Sequence, residues 1–167
     1  MTEQTPPKKK HAEFFVTQKA VLYDESRREF LLFHFAPMEG HTFQHLGPWD
    51  FVGGRVNNGE MFGESLSREI REEAGDIRFE IDDVIGVEDM VYHSEQRQKV
   101  VAIGYLAFFR GGEVTLSKEH NEYRWMSAEE VAGNEEYGEW VKRFVAAAEK
   151  RIKERSYLND VKRVSAD

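Results

Sequence analysis

The chain has 167 residues, one domain's worth, and its 40% apolar share suits a soluble protein with a full core. Its 31 acidic residues outnumber 23 basic ones, and the net charge of −8 disfavours sequence-independent binding to nucleic acid or to anionic membrane surfaces. There is no cysteine, which excludes disulfides, thiolate metal sites and thiol nucleophiles, and no apolar run reaches membrane-spanning length.

Residues 1–10, with Pro6-Pro7 and Lys8-Lys9-Lys10, read as the flexible N-terminal tail of a cytoplasmic protein, because the residues after the lysines lack the continuous apolar core of a signal peptide. Residues 11–167 form the single domain. Apolar and β-branched runs at 14–23 and 30–35, separated by a polar stretch, predict a strand, a turn and a strand. The segment 36–48 is a loop with Pro37, Gly40 and Gly47. Its aromatic and histidine content (His41, Phe43, His45) suits gripping a base or sugar better than holding a metal. Trp49 to Val52 is a short strand that delivers the chain into Gly53-Gly54.

A helix comes next. Phe62, Leu66, Ile70 and Ala74 recur every fourth residue, a stripe that faces a core. Beyond it, 77–92 reads as an extended run interrupted at Asp82-Asp83 and Glu88-Asp89. The segment 100–109 reads as a strand buried on both faces, joined to the preceding run as a hairpin. Gly111-Gly112 turns the chain into a short strand at 113–116. Ser127 with Glu130 three residues on is a capping-box pattern that starts a helix near Ala128. A last helix over 136–155 carries Tyr137, Trp140, Val141, Phe144, Val145, Ala148 and Ile152 on one side as core. Strands before and after a central helix, with a long helix at the end, predict a mixed β-sheet covered on both faces.

The chemistry gathers on the central helix. Glu69, Glu72 and Glu73 fall on a face other than the apolar stripe, one turn apart, with Cβ atoms roughly 5–6 Å from one another. Such like-charge pairs destabilise a helix by ~0.2–0.5 kcal/mol each, eased here by Arg68 between Glu64 and Glu72. The flank is unusual too. Gly53-Gly54 lets backbone approach a ligand, Asn57-Asn58-Gly59 is turn chemistry, and Glu60 adds a carboxylate. Carboxylate oxygens are what a hard cation such as Mg2+ prefers.

Gly54, Glu60 and then Arg68-Glu69-Ile70-Arg71-Glu72-Glu73-Ala74-Gly75 resemble, at their spacings, the Nudix box of the Nudix hydrolase superfamily. One position departs: Asp76 stands where the box closes with an aliphatic residue, and Ile77 comes after it. The departure lies outside the carboxylate cluster and concerns the exit from the helix. The resemblance implies an α/β fold, an α/β/α sandwich. It also implies a metal-dependent hydrolase that cleaves the diphosphate linkage of a nucleoside diphosphate joined to another moiety X.

By the same resemblance Glu69, Glu72 and Glu73 are the ligands of Mg2+, or of Mn2+ in its place, with the Gly54 carbonyl as a further ligand. Glu60 and Arg68 form an ion pair that ties the loop to the helix. The general base comes from a glutamate far along the chain. Glu119 is the matching candidate, Glu122 is its rival, and Glu72 could act on the water directly while ligating metal. Tyr92 lies seventeen residues beyond Gly75, where a tyrosine goes with dinucleoside polyphosphates and a proline with ADP-ribose. A nucleoside or dinucleoside polyphosphate is therefore the expected substrate, with Arg55 near its phosphates. The partner expected is this small molecule, with no membrane and no sequence-specific nucleic acid, and many relatives are homodimers. An isomerase of the same fold needs a cysteine that this chain lacks. A catalytically silent nucleotide-binding module is the alternative, disfavoured because Glu60, Glu69, Glu72 and Glu73 are all present.

Overall fold

Alternation along the strands decides which side chains meet which helix. The computed structural model of the protein describes residues 14–37, 47–91 and 99–164. The tail at 1–10, the loop residues His41, Phe43 and His45, and Tyr92 lie outside that range. The strands β1 (Phe14–Asp24) and β2 (Glu29–Phe35) form a hairpin, and β3 (Trp49–Asp50) comes after it. Next are α1 (Phe62–Ala74), β4 (Phe79–Val91), β5 (Lys99–Phe109), β6 (His120–Met126), α2 (Ala128–Gly133) and α3 (Glu139–Val164). The sheet runs β3-β2-β1-β5-β4, with β6 on β2. It is mixed, because β1 and β5 run parallel from Phe14 opposite Lys99 to Tyr23 opposite Phe108, while the other pairs are antiparallel.

With a side-chain period of two, Ala20 and Leu22 of β1 and Leu31 and Phe33 of β2 face Leu66, Ile70 and Ala74 of α1. Val21, Tyr23, Phe30 and Leu32 face Trp140, Val141, Phe144 and Val145 of α3. The result is an α/β/α sandwich with one core on each side of the sheet. Only the first member of the α1 stripe fails to join: Phe62, at the start of the helix, is 49% exposed.

β1 and β2 pair only beside their turn, at Tyr23 with Phe30 and Asp24 with Glu29. Beyond it the segment after β3 changes partner. Trp49 and Asp50 pair with β2, whereas Val52 and Arg55 bridge to Ala20 and Thr17 of β1. This switch lays Gly53-Gly54 along β1, beneath α1.

Two expectations change. Residues 113–116 are not a strand. After Gly111 and Gly112, both at positive φ, the amides of Thr115 and Ser117 donate to the carbonyls of Ala74 and Glu73 at 3.0 and 3.3 Å. The run thereby satisfies carbonyls that the end of α1 leaves unpaired. β5 is fully covered on the α3 side, but on its other face Ile103 and Tyr105 are half-buried. The interruptions at Asp82-Asp83 and Glu88 are seams: Arg155 reaches Asp82 at 2.7 Å, Arg151 reaches Asp83 at 2.9 Å and Arg143 reaches Glu88 at 2.6 Å, tying α3 to the edge strand β4.

Candidate active site

α1 starts where the Glu64 carboxylate accepts the Met61 amide at 3.2 Å and ends where Gly75, at φ 80°, turns the chain away. Between these ends Glu69, Glu72 and Glu73 sit in different surroundings. Glu73 is buried, and its Oε2 accepts the Gly53 amide at 2.8 Å. Burial pushes its carboxyl up to about 8, with Lys19 opposing and Asp50 and Glu69 adding to the rise. Glu69 lies against Gly54 so closely that a β-carbon there would sit 2.5 Å from Oε1. Any larger residue at 54 would displace the carboxylate. Glu72 projects outward with its side chain 57% exposed.

Arg68 organises the cluster. Its Nε and Nη2 meet Glu60 Oε1 and Oε2 at 2.7 and 3.0 Å in a two-pronged pair. Its Nη1 donates to Glu69 Oε1 at 2.8 Å and Glu72 Oε2 at 3.0 Å. The Arg68 hydrogen bond holds the Glu60 carboxyl down at about 2, helped by the amide of Asn57. Among the described residues no three acidic or histidine side chains converge on one point as a ready cation cage.

Gly54 also accepts the Gln18 amide through its carbonyl at 2.9 Å, which seats the turn on β1. Arg55 places its guanidinium over the Phe15 ring, 4.6 Å from the centroid. Glu119 is exposed in the turn before β6, its amide on Ser117 Oγ at 3.2 Å and its carbonyl on the Ala36 amide at 2.8 Å. Glu122 is exposed within β6, and its Oε1 accepts Arg124 Nε at 2.7 Å.

The NUDIX domain profile matches residues 14–147, which spans both cores and the whole cluster. The chain belongs to the Nudix hydrolase family. No curated protein matches it in sequence, but solved structures do. The MutT protein of Methanosarcina mazei Go1 is 28% identical with a TM-score of 0.69, covering 85% of this chain and 97% of that one. An Ap4A hydrolase of C. elegans is similar in fold at 21% identity and TM-score 0.65, over 83% of this chain and 98% of that one. So is an ADP-ribose pyrophosphatase of Streptococcus suis 89-1591, at 18% identity and TM-score 0.56, over 80% and 88%. Among the described residues no helix is long and apolar enough to cross a membrane.

This Nudix hydrolase also carries charges that reading the sequence did not single out. Lys19 of β1 and Asp50 of β3 are both buried and meet at 2.5 Å beside the Gly53 turn. Burial pushes the Asp50 carboxyl up while Lys19 opposes it. His120, also buried, is driven down to about 4 by burial and then by Lys19 and His34. A signal existed: Lys19 directly precedes the apolar run Ala20 to Tyr23, and Asp50 stands between Trp49 and Phe51.

Proposed function

We propose that the protein is a divalent-metal-dependent pyrophosphohydrolase acting on a nucleoside diphosphate joined to another moiety, with nucleoside or dinucleoside polyphosphates preferred over ADP-ribose. The observation that carries this reading is the seating of a two-glycine segment, laid along β1, against Glu69 and Glu73 on a helix that also presents Glu72. The donor set suits a hard cation, being carboxylate oxygens with a backbone carbonyl alongside. A buried Glu73 whose carboxyl rises to about 8 beside other carboxylates is a group that positive charge would hold ionised.

Glu69, Glu72 and Glu73 would hold Mg2+ or Mn2+, with the Gly54 carbonyl beside them. Once bound, the metal would supply charge neutralisation at phosphorus and a more acidic water. The chain's own residues position the parts. Glu60 anchors Arg68, and Arg68 spaces Glu69 from Glu72. Glu119 is the general base in this reading. Ser117 donates its amide to the Glu73 carbonyl, and Glu119 lies within roughly 7 Å of chain from Ser117, which keeps it near the end of α1. Glu122 lies further along β6 and is held by Arg124. Arg55 would meet the phosphates. The substrate preference rests on Tyr92 and on the absence of proline from Pro48 to the end of the chain.

The test is turnover of dinucleoside polyphosphates, nucleoside triphosphates, nucleotide sugars and ADP-ribose, each with Mg2+, with Mn2+ and with chelator. The expected outcome is metal-dependent release at the diphosphate linkage, with the polyphosphates best in kcat/KM. Turnover undiminished by chelator removes the metal, and ADP-ribose turned over about tenfold better removes the preference.

A further inference from the structure

Lys19 is a buried ammonium to which the proposed chemistry assigns no part. With 8% of its surface exposed, its Nζ donates to Asp50 Oδ2 at 2.5 Å, to the Gly53 carbonyl at 3.2 Å and to the Phe51 carbonyl at 3.3 Å. All three acceptors belong to residues 50–53, so one side chain on β1 gathers the segment that changes partner between β2 and β1. Asp50 returns its other oxygen to the Phe51 amide at 2.6 Å. The next link is Gly53 itself: its carbonyl is taken by Lys19 and its amide by Glu73, at 2.8 Å. No side chain could stand there, because a β-carbon would fall 2.0 Å from the Gln18 carbonyl oxygen. Its neighbour Gly54 is the residue pressed against Glu69.

Apolar residues of similar shape often fill the space of a buried ion pair at no loss of stability, and sometimes with a gain. Such residues would not collect three oxygens of one turn. The geometry points to Lys19, with Asp50, as a positioning residue of the active site: it fixes the 50–54 segment so that Glu73 and Glu69 are each held at one place. The inference rests on the proposed role of those glutamates as cation ligands. It differs from a purely electrostatic role in what the two variants below share. Each removes one positive and one negative charge of the same pair, so charge alone would move cation binding equally in both, whereas loss of positioning weakens it only where the hydrogen-bond donors are also gone.

Two double variants of the full chain separate these. Lys19→Met/Asp50→Leu removes charge and hydrogen bonds while filling the space, and Lys19→Gln/Asp50→Asn removes the charge but keeps donors for the carbonyls. Mn2+ binding is read by electron paramagnetic resonance of the free ion, beside thermal unfolding and turnover of the substrate preferred by the parent. The Met/Leu variant should stay folded, with its Mn2+ Kd raised and kcat lowered by about 10–100-fold, the scale for losing a group that orients a metal ligand. The Gln/Asn variant should recover most of that affinity. A folded Met/Leu variant that binds Mn2+ as tightly as the parent, or more tightly, overturns the proposal. If that variant does not fold, Lys19→Met/Asp50→Asn is set against Lys19→Gln/Asp50→Asn, and equal Mn2+ affinity in these two overturns it instead. A parent protein that binds no Mn2+ defeats the metal-ligand reading and this inference with it, while a failure confined to the variants leaves that reading standing.

Discussion

The two long helices are fastened to the sheet by apolar contact and by charge, but they place their charges oppositely. α3 buries Trp140, Val141, Phe144, Val145 and Ala148, and its arginines reach out over the edge strand to Asp82, Asp83 and Glu88. α1 buries Leu66, Ile70 and Ala74, yet it also turns Glu73 inward to a backbone amide and sets Glu69 against a glycine. The arginines of the α3 pairs stay 39–55% exposed to water, and such pairs contribute about 0–1 kcal/mol. A carboxylate taken out of water costs several times that unless it is paired. The α3 side is therefore built for stability, and the α1 side gives some stability up to hold carboxylates at fixed backbone positions.

The strongest way to break this contrast is at Glu72. Glu72→Gln removes one like charge from a crowded face, so unfolding free energy should move by no more than about 0.5 kcal/mol. Turnover should fall about 10^3-fold or more, because a ligand for transition-state charge is lost. Parent-level kcat in the folded variant would dissolve the distinction between the two helices. Phe144→Ala is the mirror experiment. Phe144 is 2% exposed and packs on Phe51 and Trp140, so denaturant unfolding should show a loss of about 3–5 kcal/mol. Its kcat, measured well below the lowered Tm, should change little.

The comparison sharpens at β6 and the turn before it, which carry both candidate bases. Glu119→Gln should lower kcat by about a hundredfold, the scale for losing a general base, with Mn2+ affinity retained. Glu122→Gln releases only an exposed bond to Arg124 and should do far less. Reversed effects would make Glu122 the base. Next to Glu119, His120 reports on burial. Loss of water, and then the positive charges of Lys19 and His34, lower its pKa to about 4 from the usual 6.5. The unfolded chain then binds the extra proton first, so stability is full above pH 6.5 and is lost as pH falls toward 4, by up to about 3 kcal/mol. His120→Phe, between Phe33 and Phe35, should flatten the difference between pH 7 and pH 5 in urea unfolding. A parallel decline in both proteins would assign the acid sensitivity elsewhere.

Legibility tracked sequence distance. Leu66, Ile70 and Ala74 announce α1 because a helical period needs only neighbours, and the capping box of Ser127 with Glu130 and strand alternation are local for the same reason. The Glu60 and Arg68 pairing spans eight residues and was implied by the resemblance to the Nudix box. Lys19 and Asp50 are 31 residues apart, and neither has a local pattern that names the other. The run at 113–116 has a strand-like sequence, but its Thr115 amide and that of Ser117 go to the carbonyls left unpaired at the end of α1 instead of to a strand partner. Which oxygens Arg68 takes is likewise a property of the folded turn, since Glu60 reaches it from the loop and Glu69 from the helix.

The smallest effect belongs to the outer seam, at the pair with the best geometry. Arg143 meets Glu88 with two parallel bonds, Nε to Oε1 at 2.6 Å and Nη2 to Oε2 at 2.8 Å. The Glu88 side chain is 18% exposed and that of Arg143 55%. A forked pair with one partner half-shielded should lie at the upper end of the range for surface pairs, so Arg143→Ala should cost at most about 1 kcal/mol. The loss should shrink further at about 1 M salt, where the Debye length is about 3 Å. Urea unfolding at low and high salt measures both quantities. A salt-insensitive loss above about 2 kcal/mol would mean that the α3 seam is held by desolvated charge, as the α1 side is, and the two faces would no longer differ in kind.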